Sequence, residues 1–139
     1  MVISVEAIED NLFALVARAD RSKCDAQISR ISDGFSLDIR TYGPRYCPIH
    51  LEITPHVFDI SSGEMFSESD IFHDKFSFYD IVLSVISGHV RIKARKTMLV
   101  FRRPVLEVSL PDSNKFFLSY ASFLPSTRVK EVQYISYMR

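Results

Sequence analysis

Three separate stretches of this chain alternate apolar and polar residues with a period of two. Phe35, Leu37 and Ile39 alternate with Ser36, Asp38 and Arg40; Ile49, Leu51 and Ile53 with His50, Glu52 and Thr54; and Val90, Ile92 and Ala94 with Arg91, Lys93 and Arg95. That period belongs to a strand with one buried and one wet face, and strands of this kind build antiparallel sheets. A chain that repeats the pattern this often is committed to a sheet with one face packed and the other in solvent.

Two stretches break the pattern with helical spacing. From Ser4 a stripe of Val5, Ile8, Leu12, Leu15, Val16 and Ala19 follows an N-cap residue, with Glu6, Glu9 and Asp10 early and Arg18 and Arg21 late, the charge order that suits a helix dipole. From Ser77 a shorter helix is expected. Asp80 makes a capping box with Ser77, Phe78, Ile81, Val82, Val85 and Ile86 form the buried stripe, and Gly88 is the stop. Asp33-Gly34 is expected to be a type I′ turn, Ser61, Ser62 and Gly63 a second hairpin turn, and residues 111–114 (PDSN) a third. Further β-like runs cover 90–101, 105–110 and 116–124, and the Val- and Tyr-rich segment 126–139 favours strand over helix. Residues 67–76 read as polar and irregular. The order of elements predicts an α+β fold, a mostly antiparallel, strongly bent sheet with an N-terminal helix and a second short helix packed on it, in one globular domain spanning 1–139.

Composition narrows the setting. A chain of 139 residues that is 47% hydrophobic and 24% charged can bury one core without help from metals or disulfides. With acids among its first ten residues the sequence as given is not expected to carry a secretion leader, and no apolar run approaches the roughly 20 residues of a membrane helix. Cys24 and Cys47 form no CxxC pair and are expected to be free thiols. The expectation is a soluble, cytoplasmic protein without a cofactor.

Catalytic motifs are sparse. His50 and Glu52 with His56 nearby could supply a small hydrolase or metal site, but the second cysteine pair of a zinc deaminase is missing, and Pro55 turns the chain before His56. His50 and Glu52 are expected to lie on the solvent side of a strand. His73 reads as a loop residue, and His89 as a partner for the last carbonyls of the second helix. No phosphate-cradling, dinucleotide or nucleophile-elbow pattern occurs, so an enzyme ranks third among the functional readings.

The charge pattern says more, because a total net charge of zero conceals two opposed segments. Between residues 59 and 80 the acids are Asp59, Glu64, Glu68, Asp70, Asp74 and Asp80 against Lys75 alone, while the bases Arg91, Lys93, Arg95, Lys96, Arg102 and Arg103 follow without an acid among them. In gross character, a compact, aromatic-rich, motif-free α+β chain with uneven charge resembles the small immunity proteins by which bacteria neutralise toxins delivered by neighbouring cells. The resemblance implies a non-catalytic protein that binds and inhibits a cognate toxin. The expected partner-binding residues are Glu64, Glu68, Asp70 and Asp74, with Phe72 and Phe76 as aromatic anchors. The alternative is a nucleic-acid-associated domain working through Arg91, Lys93 and Arg95, which the neutral total charge argues against. Homodimerisation through Tyr134 and Tyr137 stays open.

Overall fold

The computed structural model describes residues 1–67, 70–98, 101–120 and 131–139. Helix α1 spans Val5–Arg18, and the Ser4 hydroxyl accepts a hydrogen bond from the Ala7 amide as its N-cap. The strands β1 (Cys24–Ile31), β2 (Gly34–Thr41), β3 (Ile49–Ile53), β4 (Val57–Ser62), β5 (Met65–Phe66) and β6 (Ile71–Phe72) follow. Helix α2 (Phe78–Ile86), capped by Ser77, then leads into β7 (Val90–Met98), β8 (Phe101–Ser109), β9 (Lys115–Tyr120) and β10 (Val132–Gln133). All ten strands join one antiparallel sheet in the order β1-β2-β3-β4-β5-β9-β8-β7-β10, with β6 paired to β4 beside that path. The sheet curls strongly into a half-barrel, the bent antiparallel sheet of an α+β fold that the order of elements predicts.

Both helices pack on the inner face of the curl. Ile8, Leu12 and Leu15 of α1 and Phe78, Ile81, Val82, Val85 and Ile86 of α2 meet Leu37, Leu51, Ile60, Leu106, Val108 and Leu118 from the strands in one core. Burying side chains of this size stabilises a fold by about 1.5–3 kcal/mol each. Among the described residues no helix is long and apolar enough to cross a membrane.

Several local expectations change in detail. The first hairpin closes through Ser32 and Asp33, with Gly34 already paired to Ile31, and neither loop residue is left-handed, so the turn is not type I′. Gly34 is needed for a different reason: a Cβ there would collide with the Ile53 carbonyl of β3. The turn of the second hairpin falls at Gly63-Glu64, with Gly63 at φ 58°. The stretch read as irregular contains β6. His73 lies in a turn, as expected of a loop histidine, but it is a buried one: it is 7% exposed, stacked on Phe58, and its Nε2–H donates to the Thr54 carbonyl at 2.8 Å. His89 meets α2 through its backbone, its amide donating to the Ser84 carbonyl at 2.9 Å. Arg102, Arg103 and Pro104, read as a junction, lie within β8.

The last described segment, 131–139, is extended, as its composition favours, but only Val132–Gln133 makes a ladder. It runs from its pairing with β7, where β10 forms the edge of the sheet, to the end of α1. On the way the Ile135 amide donates to the Arg45 carbonyl, the Tyr137 amide to the Ile86 carbonyl, and the Asp20 and Arg139 amides close on the Tyr137 and Arg18 carbonyls. Tyr137 is fully buried and its hydroxyl donates to the Cys47 carbonyl at 2.8 Å, so this ring is occupied inside the domain.

Candidate functional site

The pairing register sorts every outward-facing residue of the sheet. On the β1–β4 half, Asp25 lies opposite Arg40, Asp38 opposite His50, and Glu52 opposite Asp59. Four carboxylates therefore share this half with the Arg40 guanidinium and one imidazole. His50 sits between two of the acids, with Nδ1 3.4 Å from Asp38 Oδ1 and Nε2 3.5 Å from Glu52 Oε1. His56 is in the following turn, outside the strand that carries His50 and Glu52, with its amide bonded to Thr54 Oγ1. Among the described residues no group of three His, Cys, Asp or Glu side chains is arranged to hold a metal.

The opposite half is basic. Arg91, Lys93 and Arg95 of β7 face outward as the alternation predicts, and Lys115 of β9 joins them. At their centre is a residue the charge pattern does not single out. Glu107 of β8 is 1% exposed, yet it is on the wet face; Lys115 Nζ lies 2.8 Å from its carboxylate, Arg91 Nη2 3.2 Å and Lys93 Nζ 3.4 Å. The aliphatic stems of those half-exposed cations cover it. The hydrogen bond from Lys115, then the charges of Arg91, Lys115 and Lys93, hold the Glu107 carboxyl below the usual carboxylate range, against burial, which pushes it up.

Between the two halves stand exposed aromatic rings. Phe66 of β5, 52% exposed, lies opposite Ser61 on the acidic side and Ser119 on the basic side. Phe117, 42% exposed, is two residues along β9 from Ser119 on the same face, with the Arg95 guanidinium 5.8 Å from its ring centroid. Phe72, 54% exposed, pairs with Val57 and so flanks Asp59 along β4. The face is thus bipolar, with a row of phenylalanines across its middle.

The segment 59–80 contributes only part of this face. Glu64, Asp70 and Asp74 are exposed, and the Asp70 amide donates to Asp59 Oδ1 at 2.9 Å; Glu68 lies outside the described residues. Phe72 is on the surface, whereas Phe76 is half-buried with its ring edge-on to Phe116 at 5.2 Å. Asp25, Asp38, Glu52, Phe66 and Phe117 join the face only through strand pairing. For Asp38 and Glu52 the sequence signal is the alternation itself, which marks them as outward without saying which strands are neighbours; Phe66 and Phe117 stand beside apolar residues and carry no such signal.

Neither thiol is exposed on this surface. Cys24 and Cys47 are free and buried, and burial pushes the Cys47 thiol up to about 11 in spite of its contact with Ser62, leaving a protonated, unreactive group. Set against protein-family models, curated proteins and solved structures, the chain matches none.

Proposed function

We propose that this chain is a non-enzymatic protein-binding module that docks its partner on the outer face of the sheet. The observation that carries the reading is the phenylalanine row between an acidic and a basic half. Exposed aromatics at the centre of a surface supply the anchoring energy of interfaces, while flanking charges of both signs orient the partner and quicken encounter. In its most specific form the partner is a toxin domain with a basic substrate site, which the acidic half of the face would cover, in keeping with the resemblance to immunity proteins.

The test is co-purification of the tagged chain from its source cells. Wild type should retain a protein partner at about 50 mM salt, where exposed charges are weakly screened. The double variant F66S/F117S should lose that partner while still unfolding cooperatively, because neither ring belongs to the buried core. Equal recovery by the double variant, or recovery of no protein, contradicts the reading.

One observation favours a second reading: Arg95 over Phe117 combines a cation with an exposed ring, the pairing that stacks single-stranded nucleic acid. The acidic half of the same face opposes it. A mixed oligonucleotide separates the two, since phosphate contacts would give an affinity that falls steeply with salt, and no binding at about 50 mM salt removes the nucleic-acid reading.

A further inference from the structure

Among the described residues β1 is an edge strand of the sheet, paired on one side only. Its register with β2 is regular over all eight residues, Cys24 to Ile31, with no proline and no bulge. The phase of the ladder is set by the Tyr42 amide, which donates to the Lys23 carbonyl at 2.8 Å. In an antiparallel pair, hydrogen-bonded and non-hydrogen-bonded positions alternate, so the amides and carbonyls of Ala26, Ile28 and Arg30 point away from β2. Among the described residues no other element hydrogen-bonds to them. Such a row of unmet backbone groups is a template for another strand.

Next to this edge α1 leaves a groove. Ile8, Leu12 and Leu15 seal the core, but the adjacent stripe of Glu9, Phe13 and Val16 overhangs Ala26, Ile28 and Phe35 without filling the space, and Phe13 is 59% exposed. Arg21 and Arg30 line the groove against one acid, Glu9, and the Arg30 guanidinium lies 5.8 Å over the Phe35 ring. A strand added to β1 would send every second side chain into this groove. The apolar walls ask for apolar residues there, and the excess of arginine asks for a carboxylate. A second copy of the chain does not supply it. Two-fold antiparallel pairing that keeps both inner faces on one side, centred on Gln27 or on Ile28, sets Arg30 opposite Cys24 or Ala26 of the other copy, and the inner-facing positions of β1 hold no acid.

We infer that the β1 edge accepts an extended segment of a partner protein by strand addition, with apolar residues in the groove under Phe13 and a carboxylate at Arg30. This surface is separate from the phenylalanine row, and the inference stands or falls without it. The probe is a synthetic peptide of alternating valine and threonine with one glutamate in the valine register, titrated into the labelled full chain and followed by amide NMR. Saturable shifts confined to β1 and α1 are expected. A peptide with the same side chains but N-methylated at alternate amides should not bind. Arg30→Glu should weaken the glutamate peptide about fivefold and favour a lysine counterpart by a similar factor, as expected for reversal of a partly exposed charge pair. Absence of saturable shifts, equal binding of the methylated peptide, indifference to Arg30→Glu, or β1 shifts that change on dilution of the chain alone, which would place a second copy at the edge, each overturns the inference.

Discussion

Glu107 sits at the centre of a cluster whose other members are Arg91, Lys93 and Lys115, and it decides how much positive charge that half of the face presents. Its carboxyl titrates below the ordinary range in the folded chain, so the stabilisation it gives is fully present above about pH 4.5 and is lost as pH falls through the folded value. Glu107→Gln should therefore cost about 1–2 kcal/mol at neutral pH, by loss of charge-assisted hydrogen bonds. In urea unfolding the gap between variant and wild type should narrow as pH falls below about 4.5 and through the lowered folded-state value; a gap that is constant with pH would contradict the assignment. Gly34 carries a different constraint, since a Cβ there meets the rigid backbone of Ile53 rather than a side chain that could move. Gly34→Ala should destabilise by about 1–3 kcal/mol, measured the same way, although an alanine in a strand is ordinarily neutral or better. The sequence suggested Gly34 as a turn glycine because Asp-Gly is a turn dipeptide; the close approach of β3 is a non-local fact that no dipeptide records.

At the scale of elements, the helices and the alternating strands were legible because their periods are local. Ser4, Ser77 and Gly88 mark helix boundaries by groups within a few residues, and those boundaries stand where the residues put them. The short strands β5, β6 and β10 were harder to place, because two residues cannot show a period and owe their conformation to neighbours distant in the chain. The segment 131–139 shows the consequence. It joins β7, the Arg45 loop, the end of α2 and the end of α1, and Tyr137 is its buried pin. Tyr137→Phe keeps the ring and removes the bond to the Cys47 carbonyl, a loss of about 1–2 kcal/mol. Tyr137→Ala also empties the site and should cost about 3–5 kcal/mol. If Tyr137→Ala were no worse than Tyr137→Phe by calorimetry, the segment would not be part of the cooperative fold.

For the whole molecule, the strand order turns a neutral chain into a bipolar surface. Residues 24–41 hold Asp25 and Asp38, which charge counting along the sequence leaves unremarked, and the register sets them opposite Arg40 and His50 on the same face as the Glu52–Asp59 pair. The basic pole, by contrast, was visible in residues 91–95, although its neutralising Glu107 was not, since a glutamate among valines and leucines reads as a strand residue of no special kind. Association through this face should depend on both poles. Asp38→Lys with Glu52→Lys should slow partner association by about tenfold at low salt while leaving the dissociation rate nearly unchanged, as measured by stopped flow or surface resonance. The phenylalanine row should govern dissociation instead. The most direct measurement replaces Phe66, Phe72 or Phe117 in turn by a photo-crosslinking phenylalanine in living source cells, with the equally exposed Tyr42 as the control position. The three row positions should each capture the same protein and Tyr42 should not; capture at Tyr42 to the same extent, or capture of nucleic acid in place of protein, would contradict a docking face on the outer sheet.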